Sequence, residues 1–270
     1  MDNGIAIVIP NVDFSENSLG KVNFIYSDEE LAEKTVFSYI EKIGDDTYEQ
    51  ALYDMVYGLI TNKIFENMDI YPILGAGNKK LINLNPNRGL QGVDLIVGDN
   101  AVLTGNNVIT FDGDTAIGDK SALVTVKDNA PLVDSYVACK ASRSSGYYLY
   151  KKRTPAMLAV TSQFTSGIGQ VFSASFSGND IKSSDLFGTE KFRSIHVDSS
   201  NIKIYIENKL NITEPHSTVE LGWNNFIGGD YMLSSDTFGG TLNFFAKGTI
   251  PATKQGIADE IFKAFTDVKV

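Results

Sequence analysis

The feature that most constrains the fold of this chain is a series of short strand-like runs between residues 94 and 247. The runs are rich in β-branched and aromatic residues, and turn clusters such as Gly105-Asn106-Asn107 and Ser177-Gly178-Asn179-Asp180 interrupt them. Because no helical pattern separates the runs, they indicate an antiparallel sandwich or jelly roll. The predicted strands are Asp94–Val97, Val108–Phe111, Ala122–Val126, Ser135–Cys139, Tyr147–Lys151, Met157–Thr161, Val171–Phe176, Lys191–Val197, Ile202–Glu207 and Thr241–Lys247.

Two helices are predicted before this region, and one after it. Ser27 and Glu30 have the spacing of a capping box, and Gly44 is a stop signal for the first helix. Asp45 or Asp46 is the predicted cap of the second helix. The apolar positions of the second helix are Leu52, Met55, Val56, Leu59, Ile60, Ile64 and Phe65. The terminal helix has Pro251 near its start, followed by Ile257, Ile261, Phe262 and Phe265.

The first 26 residues contain two extended apolar segments that are too small to form a core together. The apolar residues are Ile5, Ile7, Ile9, Val22 and Phe24. We expect these segments to add to a sheet edge, either in the same chain or in a neighbouring subunit, and we favour the neighbour. The predicted organisation is therefore an attachment segment (1–26), a helical hairpin (27–69) and a jelly roll with a C-terminal helix (70–270).

Composition excludes several classes of partner. The chain has 33 Asp and Glu against 23 Lys and Arg, and its largest basic cluster is Lys151-Lys152-Arg153, so nucleic-acid binding is not expected. A single cysteine, Cys139, excludes an intrachain disulfide and a multi-cysteine zinc site. The apolar run from Gly4 to Pro10 is too short to span a membrane and lacks the features of a secretory signal.

Catalytic patterns are not found in the sequence. There is no Gly-x-Ser-x-Gly motif, and no strand carries paired carboxylates spaced for glycoside hydrolysis. We interpret Asp259-Glu260 as a solvated helix face, His196 as a structural or solvent-facing residue, His216 as a loop residue and Cys139 as a small core or sheet residue. The sequence therefore predicts a protein that is not an enzyme.

Aromatic residues offer two candidate sugar-binding positions. Tyr148 and Tyr150 fall on one side of a predicted strand, and Trp223 with Asn224 lies in a predicted loop. Aromatic faces stack on sugar rings, and neighbouring polar groups hold the hydroxyls. The alternative is that these side chains cover the sandwich or fill a subunit interface.

No cofactor is predicted, although Asp112-Gly113-Asp114 offers two carboxylates of the kind that bind Ca²⁺. A structural turn at these residues is the favoured interpretation, and a calcium site at Asp112 and Asp114 is the alternative.

Three parts of the sequence resemble structural proteins of tailed bacteriophages. Residues 51–75, which end in Tyr71-Pro72-Ile73-Leu74-Gly75, and the following Asn83-Leu84-Asn85 are similar to a helix–strand pattern that leads into a concanavalin A-like (laminin-G-like) jelly roll in those proteins. Residues 7–15 and 19–22 resemble the N-termini of virion proteins from phages of gut bacteria. The strand motifs of that jelly roll resemble residues 108–113, 202–210 (with Asn208 where Gly is usual), 226–230 and 238–245.

The resemblance implies a virion structural protein, assembled in the host cytoplasm, with a concanavalin A-like jelly roll. It would be a fibre, collar or tail-associated component with other virion proteins as partners, would form a homo-oligomer, and would recognise host surface glycans. Two alternatives remain: a free bacterial carbohydrate-binding module, and a scaffolding virion subunit that binds no ligand.

Overall fold

The computed structural model describes residues 26–85, 94, 96–97, 101–103, 105–112, 123–125, 134–145, 148–152, 158–176, 179–216, 231–234 and 239–269. Within them, the chain forms a two-sheet antiparallel β sandwich with three helices packed on one side. The predicted fold class, a mainly β, concanavalin A-like jelly-roll sandwich preceded by a helical hairpin, is confirmed. The predicted N-terminal extended segment lies outside the described residues.

The helices are α1 (Asp28–Ile43), α2 (Glu49–Thr61) and α3 (Ala252–Val268), with short 3-10 turns at Phe65–Asn67 and Gly77–Leu81. The strands are β1 (Met68–Tyr71), β2 (Ile96–Val97), β3 (Ala101–Val102), β4 (Ile109–Asp112), β5 (Leu123–Thr125), β6 (Ser135–Ser145), β7 (Tyr148–Lys152), β8 (Leu158–Thr165), β9 (Gly169–Phe176), β10 (Asn179–Leu186), β11 (Lys191–Val197), β12 (Asn201–Ile206), β13 (Lys209–Pro215), β14 (Tyr231–Ser234) and β15 (Gly239–Thr249).

The two sheets have different neighbours. The helix-side sheet has the order β13-β12-β11-β6-β15-β4-β3, and β1 also pairs with β15. The outer sheet has the order β10-β9-β8-β7-β14-β5-β2. Strands β10 and β13 each lie at the end of their sheet, so one lateral edge of the sandwich is formed by this pair.

The helix-side sheet contributes to two hydrophobic cores because successive side chains of a strand point to opposite faces. In β6, Val137 and Cys139 belong to the core between the sheets, whereas Tyr136 and Ala138 belong to the core beneath the helices. Burial raises the pKa of the Cys139 thiol to about 12, which keeps the thiol protonated. The prediction that Cys139 is a core residue is confirmed.

The core beneath the helices joins the hairpin to the sandwich. Leu52 and Val56 of α2 belong to the same buried cluster as Phe262 of α3 and Phe244 of β15. Strand β1, which follows the hairpin, begins at Met68, one residue before the predicted end of the hairpin segment. The three-part division of the chain stays a prediction.

Helix α1 has the predicted ends. The Oγ of Ser27 accepts a hydrogen bond from the Glu30 amide at 3.2 Å, and Glu30 Oε2 accepts one from the Ser27 amide at 2.9 Å. Gly44 follows the helix with φ +66°, a left-handed conformation that glycine adopts without strain. The capping-box prediction is confirmed.

The predicted cap of α2 is wrong. The Oδ1 of Asp45 accepts a hydrogen bond from the Thr47 amide at 3.0 Å, which makes a local turn before the helix begins at Glu49. Ile64 and Phe65 are buried as expected, but they lie beyond the end of the helix.

Each predicted strand overlaps an observed one, and Lys191–Val197 has the predicted bounds. Five observed strands were not predicted, namely β1, β3, β10, β13 and β14. Among the helices that the structure describes, none has the length and apolar character needed to cross a bilayer.

Candidate functional site

Most of the site residues predicted from the sequence lie outside the described part of the chain. Tyr148 and Tyr150 belong to β7, opposite Thr161 and Val160, with an irregular register between them, and Leu149 between them is buried in the core between the sheets. The structure does not describe the side chains of these two tyrosines, and Trp223 and Asn224 are not among the described residues. The aromatic sugar platform therefore stays a prediction.

The predicted calcium site and the predicted attachment segment also stay predictions. Asp112 is the last residue of β4, opposite Gly239, whereas Asp114 is not among the described residues. Across the portion of the chain with described side chains, no group of three or more His, Cys, Asp or Glu is placed to hold a metal ion. The attachment residues Ile5, Ile7, Ile9, Val22 and Phe24 also fall outside the description.

A cleft of about 420 Å³ opens at the lateral edge where β10 of the outer sheet meets β12 and β13 of the helix-side sheet. It lies between two edge strands, so its walls come from different sheets. The lining residues are Asp180, Ile181, Lys182, Ile202, Ile212, Glu214, Pro215 and His216.

The floor of the cleft is aliphatic. Strand β12 alternates between partly exposed and buried residues, which turns Ile202 into the space between the sheets, and Ile181 of β10 reaches the same core from the other side. Ile212 of β13 is partly buried and packs against them. A ligand in the cleft would therefore rest on apolar surface.

The rim of the cleft is polar and exposed. The Oδ2 of Asp180 accepts a hydrogen bond from Gln163 Nε2 at 2.7 Å, and Lys182 Nζ lies 3.4 Å from the carbonyl oxygen of Phe164. Glu214 lies on the opposite wall, in β13, where it is exposed to solvent. The rim thus combines two carboxylates, which accept hydrogen bonds, with one ammonium, which donates them.

Strand β10 is held against the helix-side sheet by a buried ion pair. The Arg193 guanidinium lies 2.7 Å from Asp185 Oδ2 and donates a 2.9 Å hydrogen bond to the carbonyl oxygen of Ala141. Further along, two hydrogen bonds of 3.0 Å join β13 to β10. The Ser184 backbone amide donates to Asn211 Oδ1, and Asn211 Nδ2 donates to Ser184 Oγ. These contacts fix the separation of the two walls.

The far wall is fixed by a turn around Asp198. Burial opposes ionisation of Asp198, but hydrogen bonds from Lys203, Ser200 and Asn201 outweigh it and hold the pKa of the carboxyl below its ordinary value. The backbone amide of His216 donates to the Ser200 carbonyl at 2.9 Å, and its Nε2 lies 2.9 Å from the Asp198 carbonyl oxygen. His216 therefore closes the end of the cleft from a fixed loop.

A second polar group is buried between the helix-side sheet and α3. The Nε2 of His196 lies 2.9 Å from Asp259 Oδ2 and 3.1 Å from Ser194 Oγ, and Ser194 Oγ donates to the same carboxylate oxygen at 2.8 Å. Tyr136 donates to the other carboxylate oxygen at 2.7 Å. Asp259 is therefore buried, and the prediction that it lies on a solvated face is wrong, although its neighbour Glu260 is exposed.

This group has the composition of a catalytic triad but not its geometry. A catalytic histidine uses one ring nitrogen for the nucleophile and the other for the carboxylate, whereas the Nε2 of His196 contacts both Ser194 and Asp259. Ser194 is fully buried and out of reach of a substrate. The structural interpretation of His196 is confirmed.

No protein-family model and no curated protein sequence matches the chain. A solved structure on the cell entry of botulinum neurotoxin type C, described as dependent on interaction with two ganglioside molecules, matches with TM-score 0.50 and 12% identity over 75% of this chain and 52% of that chain. Domain 4 of AbnA, a GH43 extracellular arabinanase from Geobacillus stearothermophilus, in complex with arabinotriose, matches with TM-score 0.44 and 13% identity over 71% of this chain and 96% of that domain. The sialidase of Trypanosoma rangeli matches with TM-score 0.45 and 11% identity over 76% of this chain and 33% of the sialidase. At these identities the neurotoxin likeness shows a shared fold alone.

Proposed function

We propose that this chain is a glycan-binding jelly-roll protein that holds a surface polysaccharide in the cleft between β10 and β13. The observation that carries the proposal is the combination of an aliphatic floor (Ile181, Ile202 and Ile212) with a rim of opposite charges (Asp180, Lys182 and Glu214) in one groove of about 420 Å³. Sugars present C–H faces that pack on apolar surface and hydroxyls that pair with carboxylates and ammonium groups.

The shape of the cleft also favours an extended ligand. It lies along a sandwich edge between two strands of different sheets, so a chain of sugar residues can extend along the strands, away from the end that His216 closes. The neurotoxin that shares the fold is described as interacting with gangliosides, which carry oligosaccharide headgroups. That property belongs to the neurotoxin, and here it is a reason to test glycans first.

The setting that we propose is a virion of a tailed phage. The support is the sequence resemblance of residues 51–85 and of the strand motifs to phage structural proteins. In that setting the protein is a homo-oligomeric fibre, collar or tail-associated component, and its partners are other virion proteins and a host surface polysaccharide. The proposal is for a binding protein and not for an enzyme.

The test is binding of the full chain to an array of bacterial surface polysaccharides, followed by variants of the rim. Lys182→Ala and the pair Asp180→Asn with Glu214→Gln should each weaken binding at least tenfold without lowering the melting temperature. Glu41→Gln, an exposed position on α1 far from the cleft in sequence and element, is the matched control.

Two results would overturn the assignment of the cleft. If Tyr148→Ala with Tyr150→Ala abolishes glycan binding while the rim variants retain it, the sugar site is the aromatic platform predicted from the sequence. If the wild-type chain binds no polysaccharide of a broad panel, glycan recognition is wrong and the scaffolding function is favoured.

A further inference from the structure

The outward side of the helix layer contains an apolar groove between α2 and α3. The two helices run antiparallel, since Lys254 Nζ near the start of α3 donates to the Asn62 carbonyl at the end of α2. They come close at Gly58, where an added Cβ would lie 3.2 Å from Ile261. Beyond this contact lies a groove of about 480 Å³, lined by Gln50, Ala51, Asp54, Met55, Glu260, Ile261, Ala264, Phe265 and Val268.

The groove exposes apolar surface, and no described residue of the chain covers it. Met55 and Phe265 are buried and form its floor, Ala51 and Ile261 form partly buried walls, and Val268 at the open end is 61% exposed. Contiguous apolar surface in a concave site is typical of an interaction surface, because its exposure to water is unfavourable.

The rim of the groove is acidic. Asp54 and Glu260 are its charged residues, and no Lys, Arg or His is among the residues that line it. A second groove, of about 700 Å³ between α1 and α2, meets it at Gln50 and adds Glu33, Asp46 and Glu49. The same sign of charge surrounds Tyr53, whose pKa is raised by desolvation and then by the negative charges of Glu29 and Glu33.

The helices of a second copy of this chain do not complement this surface in charge. Helix α1 carries five acidic residues and two lysines, and α2 carries two acidic residues and no basic one. A twofold contact through the groove would also bring Asp54 and Glu260 against identical acidic rims, which is unfavourable. The acidic rim therefore favours an occupant from a different protein with the opposite charge.

We propose that the α2/α3 groove docks an amphipathic helix of another protein, whose apolar side chains at i, i+3, i+4 and i+7 fill the groove and whose flanks carry Lys or Arg. Helix-in-groove recognition uses this spacing, and opposite charges around an apolar centre give specificity. The proposal does not depend on glycan binding, since the groove and the β10/β13 cleft share no residue.

The test uses three synthetic 18-residue peptides and fluorescence anisotropy with the full chain. The first peptide has a leucine face with Lys and Arg flanks, the second has the same leucine face with Glu flanks, and the third has the composition of the first in scrambled order. The first peptide should bind at least tenfold more tightly than the other two. Ala264→Trp, which fills the groove at an exposed position, should abolish its binding.

Charge reversal distinguishes the groove from the general acidity of the protein. Asp54→Lys with Glu260→Lys should invert the preference, so that the Glu-flanked peptide binds more tightly. Glu41→Lys with Glu66→Lys changes the net charge equally at exposed positions outside the groove, and should leave the preference unchanged. The proposal is overturned if neither leucine peptide binds, if both bind equally, if both double variants behave alike, or if Ala264→Trp instead dissociates a homo-oligomer of this chain.

Discussion

The Nε2 of His196 in β11 lies 2.9 Å from the Oδ2 of Asp259 in α3, and both side chains are buried. This contact joins the helix-side sheet to the terminal helix within a largely hydrophobic core. Ser194 and Tyr136 donate to the two oxygens of the same carboxylate, so one aspartate satisfies three strand side chains. The helix layer is therefore fixed to the sandwich by hydrogen bonds as well as by apolar packing.

Replacing Asp259 by Ala should destabilise the fold strongly. The change leaves the hydroxyls of Ser194 and Tyr136 without their acceptor in a buried site, which costs about 2–4 kcal/mol of the free energy of unfolding. Glu260→Ala, one residue further on and exposed, should change that free energy by less than about 0.5 kcal/mol. Urea unfolding of both variants is the measurement, and equal effects would show that the Asp259 contacts do not stabilise the fold.

Lys269 should make stability depend on pH. Its buried Nζ donates to the carbonyl oxygens of Pro72, Ile73 and Asn243. Burial lowers the pKa of its ammonium to about 7, against the smaller opposing effect of Glu190, whereas the unfolded chain keeps the ordinary value of 10.5. Between these two values the unfolded state binds more protons, so the free energy of unfolding rises with pH in this range.

The Lys269→Met variant isolates this effect. The stability difference, wild type minus Lys269→Met, should be flat below pH 6 and should rise above pH 7 by at most about 1.4 kcal/mol per pH unit. Chemical denaturation at pH 6, 7, 8 and 9 gives the difference directly. A stability difference that falls as the pH rises would mean that folding raises the pKa of the Lys269 ammonium instead of lowering it.

Replacing either of two glycines by alanine should change the stability of the protein, in opposite directions for the two positions. A Cβ on Gly248 of β15 would lie 2.2 Å from the Asn67 carbonyl oxygen, so Gly248→Ala should separate β15 from the start of β1 and cost about 2 kcal/mol or more. A Cβ on Gly256, an exposed position of α3, meets nothing within 4 Å. Gly256→Ala should therefore stabilise the protein by about 0.5–1 kcal/mol. Thermal melts should shift in opposite directions, and a lower melting temperature for both variants would contradict the described packing.

Deletion of residues 1–25 tests the predicted attachment segment. The first described residue, Tyr26, has its ring 3.5 Å from Lys34 Nζ, so the deletion leaves this contact and the Ser27 cap in place. The truncated chain should stay folded with an unchanged melting temperature and should lose assembly, as measured by light scattering. If it aggregates, or melts many degrees lower as a monomer, the segment belongs to the core of its own chain.

Local signals in the sequence were sufficient for the elements with complete patterns. The capping box of Ser27 and Glu30 and the stop at Gly44 set both ends of α1, because these interactions lie within the helix itself. Strand β13 was missed because Lys209–Pro215 lies at a sheet edge, where only Ile212 is partly buried and no alternation results. The turn before it has a sequence signal in Asn208, and in the structure Glu207 and Asn208 both have positive φ, as a tight hairpin requires.

The cleft and the buried carboxylate could not be predicted because each depends on contacts between distant parts of the chain. From the sequence alone, Asp259 is predicted to be a solvated helix residue. In the fold, β6 and β11 place Tyr136, Ser194 and His196 beside it. The β10/β13 cleft exists only because the edge strands of two sheets come together there. The periodicity of a strand predicts which face of the sheet a residue lies on. It does not predict which strand of the other sheet lies beside an edge strand.

The most direct test of the glycan cleft is methyl NMR of isoleucine-labelled protein, titrated with the oligosaccharide that binds most strongly on the array. Three isoleucines line the cleft, namely Ile181, Ile202 and Ile212, whereas Ile70 and Ile261 lie in and beside the core beneath the helices and serve as controls. The account predicts saturable shifts of the three cleft methyl signals, with the two control signals unchanged. Saturable binding that leaves the cleft methyl signals unmoved would contradict it.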